Sequence, residues 1–328
     1  MRKACKCQIF FVPLPPRSVK TEYKHRKPNT AITAMNKYIP SLRLRTLPLS
    51  VSGIILGTGL SLAPLRAACG DPAAWPIDWY VFGWAILTTL CLQILSNLSN
   101  ELGDALKGTD SEQQGRAAYG MQAGTITVEE MKKMIGVFIF LSVVFGSALV
   151  LTAFDTFLCV PAMVFLGLGA LAIIGAMTYT LGKHSYGYKG LGDLGVFLFF
   201  GLLSTMGSYY LQTKTLTVEA VLAAVAIAMP NVGVLNLNNV RDIDNDLKHG
   251  KRTMAARLGK TGGKIYHALL LAVCFGLFMY LQKWWVLCAL PVIVWHVWYI
   301  FRHDGHDLDK QMPVLMFTTL AIAILAVI

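Results

Sequence analysis

The sequence predicts an all-α membrane protein with nine transmembrane helices. Of its 328 residues, 55% are hydrophobic and only 14% are charged, and the mean hydropathy is +0.54. A soluble domain has about 45–50% apolar and about 25% charged residues, so this chain has too few charges to cover a soluble globule. The composition therefore excludes a soluble α/β enzyme, a disordered protein and a disulfide-rich secreted domain.

Nine apolar segments follow one another along the chain, and each is long enough to cross roughly 30 Å of hydrocarbon. Several contain small residues, such as Gly53, Gly57 and Gly59, which allow membrane helices to approach each other closely. The predicted helices are 47–65, 79–99, 134–154, 157–180, 192–212, 217–237, 265–282, 284–301 and 312–328.

The basic residues indicate how these helices are oriented. With the N-terminus inside, 26 of the 29 lysines and arginines fall on the inner side, and only Arg66, Lys214 and Lys283 fall on the outer side. Cytoplasmic loops carry such an excess, so we expect a cytoplasmic N-terminus. The net charge of +11 then indicates membrane lipid or an anionic substrate as the partner, and not nucleic acid.

The first 46 residues differ in composition from the rest. They hold 11 basic residues and one acid, Glu22, and Met35 offers a second start. We therefore expect a basic N-terminal extension or mis-assigned start over 1–34 and a transmembrane domain over 35–328. The seven cysteines are scattered, and we assign most of them to apolar packing rather than to metal or redox chemistry.

The few acids form two clusters, one after helix two and one after helix six, both on the inner face. In the second cluster Asn238, Asp242 and Asp246 are spaced i, i+4 and i+8, which places them on one face of a helix. Asn100 and Asp104 repeat the first two positions, as an internal duplication would. Such rows of oxygen ligands suit Mg²⁺, which takes one or two carboxylates and completes its shell with phosphate and water.

Two facing clusters predict a diphosphate held between two Mg²⁺ ions. The alternative for any of these acids is a solvated loop at a helix end, although acids near membrane helices are functional by default. The predicted catalytic residues are Asp104, Asp242, Asp246 and Lys183. The predicted metal ligands are Asn100, Glu101, Asp104, Asn238, Asp242 and Asp246, and the predicted diphosphate ligands are Lys107, Arg241, Lys248 and Arg252.

A third stretch, 179–193, joins helices four and five on the same inner face. We expect Lys183 to reach the diphosphate, whereas Tyr186 and Tyr188 are equally suited to anchoring the chain at the membrane interface. A cation transporter would place its acids near the bilayer midplane. These acids lie at one face, so an enzyme is favoured over a transporter.

Three stretches follow a known family pattern, namely 97–110, 187–201 and 238–259, and 43–48 is similar to the family's entry to helix one. Together they resemble the UbiA superfamily of intramembrane prenyltransferases, most closely the branch that acts on 1,4-dihydroxy-2-naphthoate in menaquinone biosynthesis. The family usually carries Asp at the position of Glu101.

The resemblance implies nine helices around a central cavity that opens laterally to lipid, with Mg²⁺ as cofactor. The implied reaction transfers a polyprenyl group from polyprenyl diphosphate to 1,4-dihydroxy-2-naphthoate with loss of CO₂ and diphosphate, and 4-hydroxybenzoate is the alternative acceptor. It also implies the bacterial cytoplasmic (inner) membrane, with the active site on its cytoplasmic face. The residues expected to contact the aromatic substrate are Arg43, Arg45, Lys183, Tyr179 and Asp193.

Overall fold

A computed structural model describes residues 37–109, 119–183 and 185–328, and every regular element within these ranges is helical. Nine helical segments of this part of the chain are long and apolar enough to cross a membrane. The predicted fold class of a multi-pass, all-α membrane protein is thereby confirmed. The predictions made for residues 1–34, Met35 and Asp110 lie outside the described residues.

The transmembrane helices are numbered in chain order. Short 3-10 turns, Trp284–Ala289 and Gly305–Lys310, precede the last two helices within the same spans, and the fifth helix adopts π-helical geometry over Phe197–Leu203. The helices are α1 (Leu47–Cys69), α2 (Trp79–Lys107), α3 (Val128–Phe154), α4 (Val160–Thr178), α5 (Gly192–Thr213), α6 (Val218–Arg241), α7 (Met254–Tyr280), α8 (Leu290–Arg302) and α9 (Gln311–Leu325).

Several helices extend beyond their predicted ends because charged turns are helical without being apolar, and α7 begins at Met254, 11 residues before its predicted start. Helix α2 continues past position 99 to Lys107, so the first acid cluster lies on the helix and not in a loop after it. Helix α3 starts six residues earlier than predicted, where Thr127 and Glu130 form a reciprocal capping box. Such a box satisfies two of the backbone N–H groups that a helix start leaves unpaired.

The helices pack in two similar groups. Helix α2 packs along α3 and α4, helix α6 packs along α7 and α9, and α1 lies against α2, α5 and α9. The pair α2–α3 therefore recurs four helices later as α6–α7, as the matched acid clusters predict. Helix α4 buries almost none of its side chains, as expected for a helix that faces lipid.

Small residues press α1 against α5. A Cβ atom on Gly57 would lie 2.1 Å from the carbonyl oxygen of Thr205, and one on Gly53 would lie 2.0 Å from Ser204 Oγ. Any larger side chain would therefore push the two helices apart. Space remains between the walls formed by α2 and α6, and this space is the central cavity of the bundle.

Candidate active site

The second acid cluster forms the predicted row across the end of α6. Asp242 N donates to the carbonyl oxygen of Asn238 at 3.1 Å, and Asp246 N donates to that of Asp242 at 2.8 Å. The row thus continues from α6 into the short helix Ile243–Lys248. The helical spacing read from the sequence is kept even though Asp242 lies at the junction of the two helices.

The first cluster ends differently. Gly108 adopts a left-handed conformation, with φ 73°, and ends α2 after Lys107, as glycine commonly does at a helix C-terminus. Asp104 is therefore the last acid of the first cluster that lies on α2. Asn245 Nδ2 donates to the carbonyl oxygen of Thr109 at 3.0 Å, so the end of α2 meets the short helix that follows α6.

Asp104 is held by Tyr188. The Tyr188 hydroxyl donates to Asp104 Oδ1 at 2.9 Å, and its oxygen lies 2.6 Å from the Thr109 hydroxyl. Because the single phenolic hydrogen goes to the carboxylate, Thr109 donates to Tyr188. Burial and the charge of Asp104 raise the pKa of Tyr188, which keeps it a donor. Tyr188 is therefore a residue of the candidate site and not an interface anchor.

Lys251 is the basic residue that the sequence interpretation missed. Its Nζ lies 3.5 Å from Asp246 Oδ1, and its side chain is only 11% exposed. Gly250, with φ 71°, reverses the chain so that Lys251 N donates to the carbonyl oxygen of Asp246 at 2.8 Å. A glycine just before the lysine, four residues after Asp246, is the sequence signal for this fold-back.

The charges of this site act on one another. Burial raises the pKa of Asp246 to about 6, and the negative charges of Asp242 and Asp104 add to this effect while Lys251 opposes it. Burial disfavours the charged form of Lys251, yet Asp104 and Asp246 raise its pKa. The three predicted aspartates and Lys251 therefore form one electrostatic site.

Arg241 is not directed at an open ligand site. Its Nε donates to Asp242 Oδ1 at 2.7 Å, a second guanidinium nitrogen pairs with Asp242 Oδ2, and a third pairs with Asp309. The guanidinium is buried between these two carboxylates and ties the end of α6 to the turn before α9. Its contacts are those of a positioning residue for Asp242 rather than those predicted for a diphosphate ligand.

The other predicted basic residues divide into two groups. Lys107 donates to Ser185 and lies 3.7 Å from the centre of the Tyr188 ring, so it belongs to the site. Lys183, Lys248 and Arg252 have exposed side chains. The position predicted for Lys183, close to the aspartates, is occupied by Lys251, because the turn after α4 carries Lys183 outward.

Two buried oxygen atoms of the site fit a hard metal ion. Asp246 Oδ2 and Asn100 Oδ1 have no hydrogen-bond partner among the described residues, and buried oxygens without partners are unfavourable. Within the same residues, no group of three or more His, Cys, Asp or Glu side chains is arranged to hold an ion. A small number of carboxylate and amide oxygens, as found here, suits Mg²⁺, because Mg²⁺ takes its remaining ligands from phosphate and water.

Glu101 has contacts other than those predicted for a metal ligand. It is fully buried, and its Oε1 accepts hydrogen bonds from Ser41 Oγ at 3.1 Å and from Met121 N at 2.8 Å. These bonds tie α2 to the segment before α1 and to the segment before α3. At about 100° per residue, Glu101 lies about 60° around the helix from Asp104 and about 100° from Asn100, and its Oε2 has no hydrogen-bond partner among the described residues.

We expect Glu101→Ala to reduce stability more than catalysis. The change leaves the Ser41 hydroxyl and the Met121 amide without their acceptor, which lowers the free energy of unfolding by about 1–3 kcal/mol. Thermal unfolding in detergent, together with the rate per folded molecule, measures both effects. Glu129→Ala, at an exposed position, is the control. A rate loss of about 10²-fold with unchanged unfolding would instead make Glu101 a metal ligand.

A cavity of about 290 Å³ extends from this site into the membrane-spanning bundle. Asn100 and Asn238 line its site end, one helical turn before Asp104 and Asp242, while leucine, phenylalanine and glycine residues of α3, α4 and α5 line most of its length. An apolar cavity with polar groups at one end accommodates a ligand with a charged head and a hydrocarbon tail.

The residues predicted to contact an aromatic substrate lie at different places around this cavity. Arg43 and Tyr179 line it. Arg43 stacks on the Tyr119 ring at 4.0 Å, whereas the exposed Arg45 donates to the Tyr119 hydroxyl at 3.0 Å. Asp193 is buried and bonded to Tyr266, so its contacts are with α7 and not with the cavity.

Comparison with known proteins places the chain in a family. Residues 67–321 match the UbiA prenyltransferase family. The chain is 42% identical over 281 residues to the 1,4-dihydroxy-2-naphthoate octaprenyltransferase of Escherichia coli (strain K12), covering 83% of this chain and 87% of that protein. It is 30% identical over 295 residues to the enzyme of the same name from Mycobacterium tuberculosis (strain ATCC 25618 / H37Rv), covering 88% and 94%.

Solved structures share the fold at low sequence identity. A UbiA homolog from Aeropyrum pernix K1 superposes with a TM-score of 0.60 at 14% identity, over 88% of this chain and 96% of that one. A UbiA homolog from Archaeoglobus fulgidus, bound to DMAPP and Mg²⁺, gives 0.56 at 16% identity, over 89% and 99%. With nine candidate spans in its described residues and two acid clusters at one end of an apolar cavity, this chain belongs to the UbiA prenyltransferase family.

Proposed function

We propose that this chain transfers a polyprenyl group from polyprenyl diphosphate to 1,4-dihydroxy-2-naphthoate, with loss of diphosphate and CO₂, giving demethylmenaquinol, the reduced form of demethylmenaquinone. The observation that carries the proposal is the site of three aspartates and Lys251 at the end of an apolar cavity. Two relatives, 42% and 37% identical to this chain, bear the name of this activity, and they confirm the function predicted from the sequence.

The roles of the site residues follow from their chemistry. Asp104 with Asn100, and Asp242 and Asp246 with Asn238, would hold two Mg²⁺ ions, one on each cluster. Bound Mg²⁺ supplies positive charge that stabilises the departing diphosphate. Lys251 and Lys107 lie beside the aspartates and would donate hydrogen bonds to the phosphate oxygens.

The reaction breaks one allylic C–O bond and the C–C bond to the carboxylate, and it forms one new C–C bond. The electron pair of the C–O bond leaves with the diphosphate, and the ring carbon that bears the carboxylate attacks the prenyl carbon. The pair of the carboxyl C–C bond then restores the aromatic ring as CO₂ departs. The apolar walls would exclude water, which would otherwise capture the prenyl cation, and Arg43, which lines the cavity, would bind the naphthoate carboxylate.

The orientation and extent of the enzyme are part of the proposal. The excess of basic residues on the site side supports a cytoplasmic N-terminus and a site on the cytoplasmic face of a bacterial inner membrane. Residues 35–328 would form the prenyltransferase domain, since the clusters, the cavity and the nine spans found in the described residues lie within it. Residues 1–34 would be dispensable.

Purified protein is expected to convert 1,4-dihydroxy-2-naphthoate only in the presence of a divalent cation. Oxygen ligands alone select Mg²⁺ or Mn²⁺ over softer metals, so chelator should abolish the product and either ion should restore it. Mass spectrometry of the products from mixed prenyl diphosphates and a panel of aromatic acids measures this. Preferential prenylation of 4-hydroxybenzoate would replace the proposed acceptor, and full activity in chelator would refute the metal site.

A further inference from the structure

Two buried amides occupy matched positions in the two halves of the bundle. Gln93 lies seven residues before Asn100 and eleven before Asp104, and Asn231 lies seven residues before Asn238 and eleven before Asp242. Both side chains line the central cavity, one from α2 and one from α6. At about 1.5 Å of rise per residue, each lies roughly 10 Å deeper than the asparagine of its cluster.

The orientation of the Gln93 amide is set by its neighbours. Asn97 Nδ2 donates to the carbonyl oxygen of Leu42 at 3.0 Å, which leaves Asn97 Oδ1 as an acceptor for Gln93 Nε2 at 3.1 Å. The Thr46 hydroxyl donates to the carbonyl oxygen of Arg43 and accepts from Gln93 Nε2 at 3.1 Å. Both partners of the amide nitrogen are acceptors, so the network assigns Oε1 to the remaining side of the amide.

One hydrogen bond sets the orientation of the Asn231 amide. Its Nδ2 donates to the carbonyl oxygen of Ile227 at 2.8 Å, and a flipped amide would place two oxygens against each other. Asn231 is 1% exposed and Gln93 is 7% exposed. In the part of the chain that the structure describes, Asn231 Oδ1 and Gln93 Oε1 have no hydrogen-bond partner.

A ligand that donates a hydrogen bond would supply the missing partner of an amide oxygen at an apolar cavity. A buried polar atom without a partner is unfavourable, and a prenyl tail has no donor to offer. A dihydroxynaphthoate has two hydroxyl groups on opposite sides of one ring. Acceptors on two facing helices match that pattern, and Arg43 Nε, which is also buried without a partner in the described ranges, matches the carboxylate.

We propose that Gln93 Oε1 and Asn231 Oδ1 each accept a hydrogen bond from one ring hydroxyl of the aromatic acceptor, and that the two amides select a dihydroxy ring. This inference rests on the proposed function and specifies how the acceptor is recognised. A site that hydrogen-bonds a substrate hydroxyl rejects an analogue without that hydroxyl strongly, whereas an apolar pocket discriminates between the two only weakly. Neither amide contacts the diphosphate in this arrangement.

The test compares the binding of naphthoates to variants of the full-length protein. The probes are 1,4-dihydroxy-2-naphthoate and the two monohydroxy analogues that lack one or the other hydroxyl. Binding is measured by ligand-induced thermal shift in detergent, so it does not depend on turnover. Gln93→Met and Asn231→Leu remove one acceptor each. Asn236→Leu is the matched control, because Asn236 on α6 also has a buried Oδ1 without a partner in the described part of the chain but does not line the cavity.

Each variant is expected to bind the dihydroxy acid about 10- to 100-fold more weakly and to lose its preference over one monohydroxy analogue, a different one for each variant. The ratio of two binding affinities does not depend on the chemical reactivity of the rings. A change in this ratio therefore reports the loss of the hydrogen bond between the amide and the hydroxyl. Asn236→Leu should keep both preferences.

Equal weakening for all three acids, or preferences unchanged from wild type, would overturn the inference and leave the amides as structural or water-bound groups. Hydroxyl-dependent binding without any prenyl transfer would instead refute the proposed function, so the two failures are distinguishable. Binding of inorganic diphosphate with Mg²⁺ should change less than about threefold in either variant, since the amides lie roughly 10 Å from the asparagines of the site.

Discussion

Asp104→Asn and Asp246→Asn are each expected to lower the rate of prenyl transfer by at least about 10²–10³-fold. Both carboxylates lie beside Lys251 in one electrostatic site, and Asp246 Oδ2 has no partner among the residues described. Asparagine preserves the shape of each side chain but removes the charge that a diphosphate-bound Mg²⁺ would meet. Initial rates at saturating Mg²⁺ measure the loss, with membrane insertion checked in parallel.

Asp244→Asn is the matched control, because it lies between Asp242 and Asp246 on the same short helix. Its side chain is 76% exposed and pairs with Lys260, so its rate should stay close to that of the wild type. The double variant of Asp104 and Asp246 should lose less than the product of the single losses, because groups that act on one diphosphate are not additive. Near-wild-type rates for both single variants would end the assignment of the diphosphate to these clusters.

Lys251→Met is expected to lower the rate by about 10²-fold or more and to raise the KM for polyprenyl diphosphate. The ammonium group lies 3.5 Å from Asp246 Oδ1, where it would face the leaving group. Without it the carboxylates lose their counter-charge. The variant should therefore bind Mg²⁺ alone more tightly than the wild type while binding the diphosphate more weakly. Titration of metal and of substrate into purified protein separates these opposite effects.

Lys183→Met and Lys260→Met are the comparisons for this prediction. Lys183 is exposed in the turn after α4, and Lys260 pairs with the exposed Asp244, so each should change the rate by less than about tenfold. A larger effect for Lys183 than for Lys251 would restore the role that the sequence predicted for Lys183. It would also show that the buried lysine serves only to offset the charge of the aspartates.

Most of the fold could be predicted because membrane spans are determined by local composition. A run of about 20 apolar residues satisfies the length and polarity that a bilayer demands, whatever the rest of the chain does. The predicted helix bounds were wrong at charged helix ends, such as the last turns of α2 and the capped start of α3. There, hydropathy falls while the backbone hydrogen bonds of the helix continue.

The rows of the candidate site were also predictable, since helical spacing alone places Asn238, Asp242 and Asp246 on one face. The sequence could not distinguish which lysine meets them. Lys183 and Lys251 both lie in basic loops on the same side, and the left-handed turn at Gly250 turns Lys251 inward. The position of a loop lysine depends on how the chain folds back, which spacing along a helix does not record.

The sequence by itself therefore determined the nine spans, the two acid rows and the family, because each depends on residues that are neighbours in the chain. Only the tertiary structure decided that Glu101 bonds to Ser41 and Met121, that Arg241 is held between two carboxylates, and that two cavity-lining amides have buried oxygens without a partner among the described residues. The physical reason is that hydrogen-bond partners of buried groups come from other helices, and helix packing selects them.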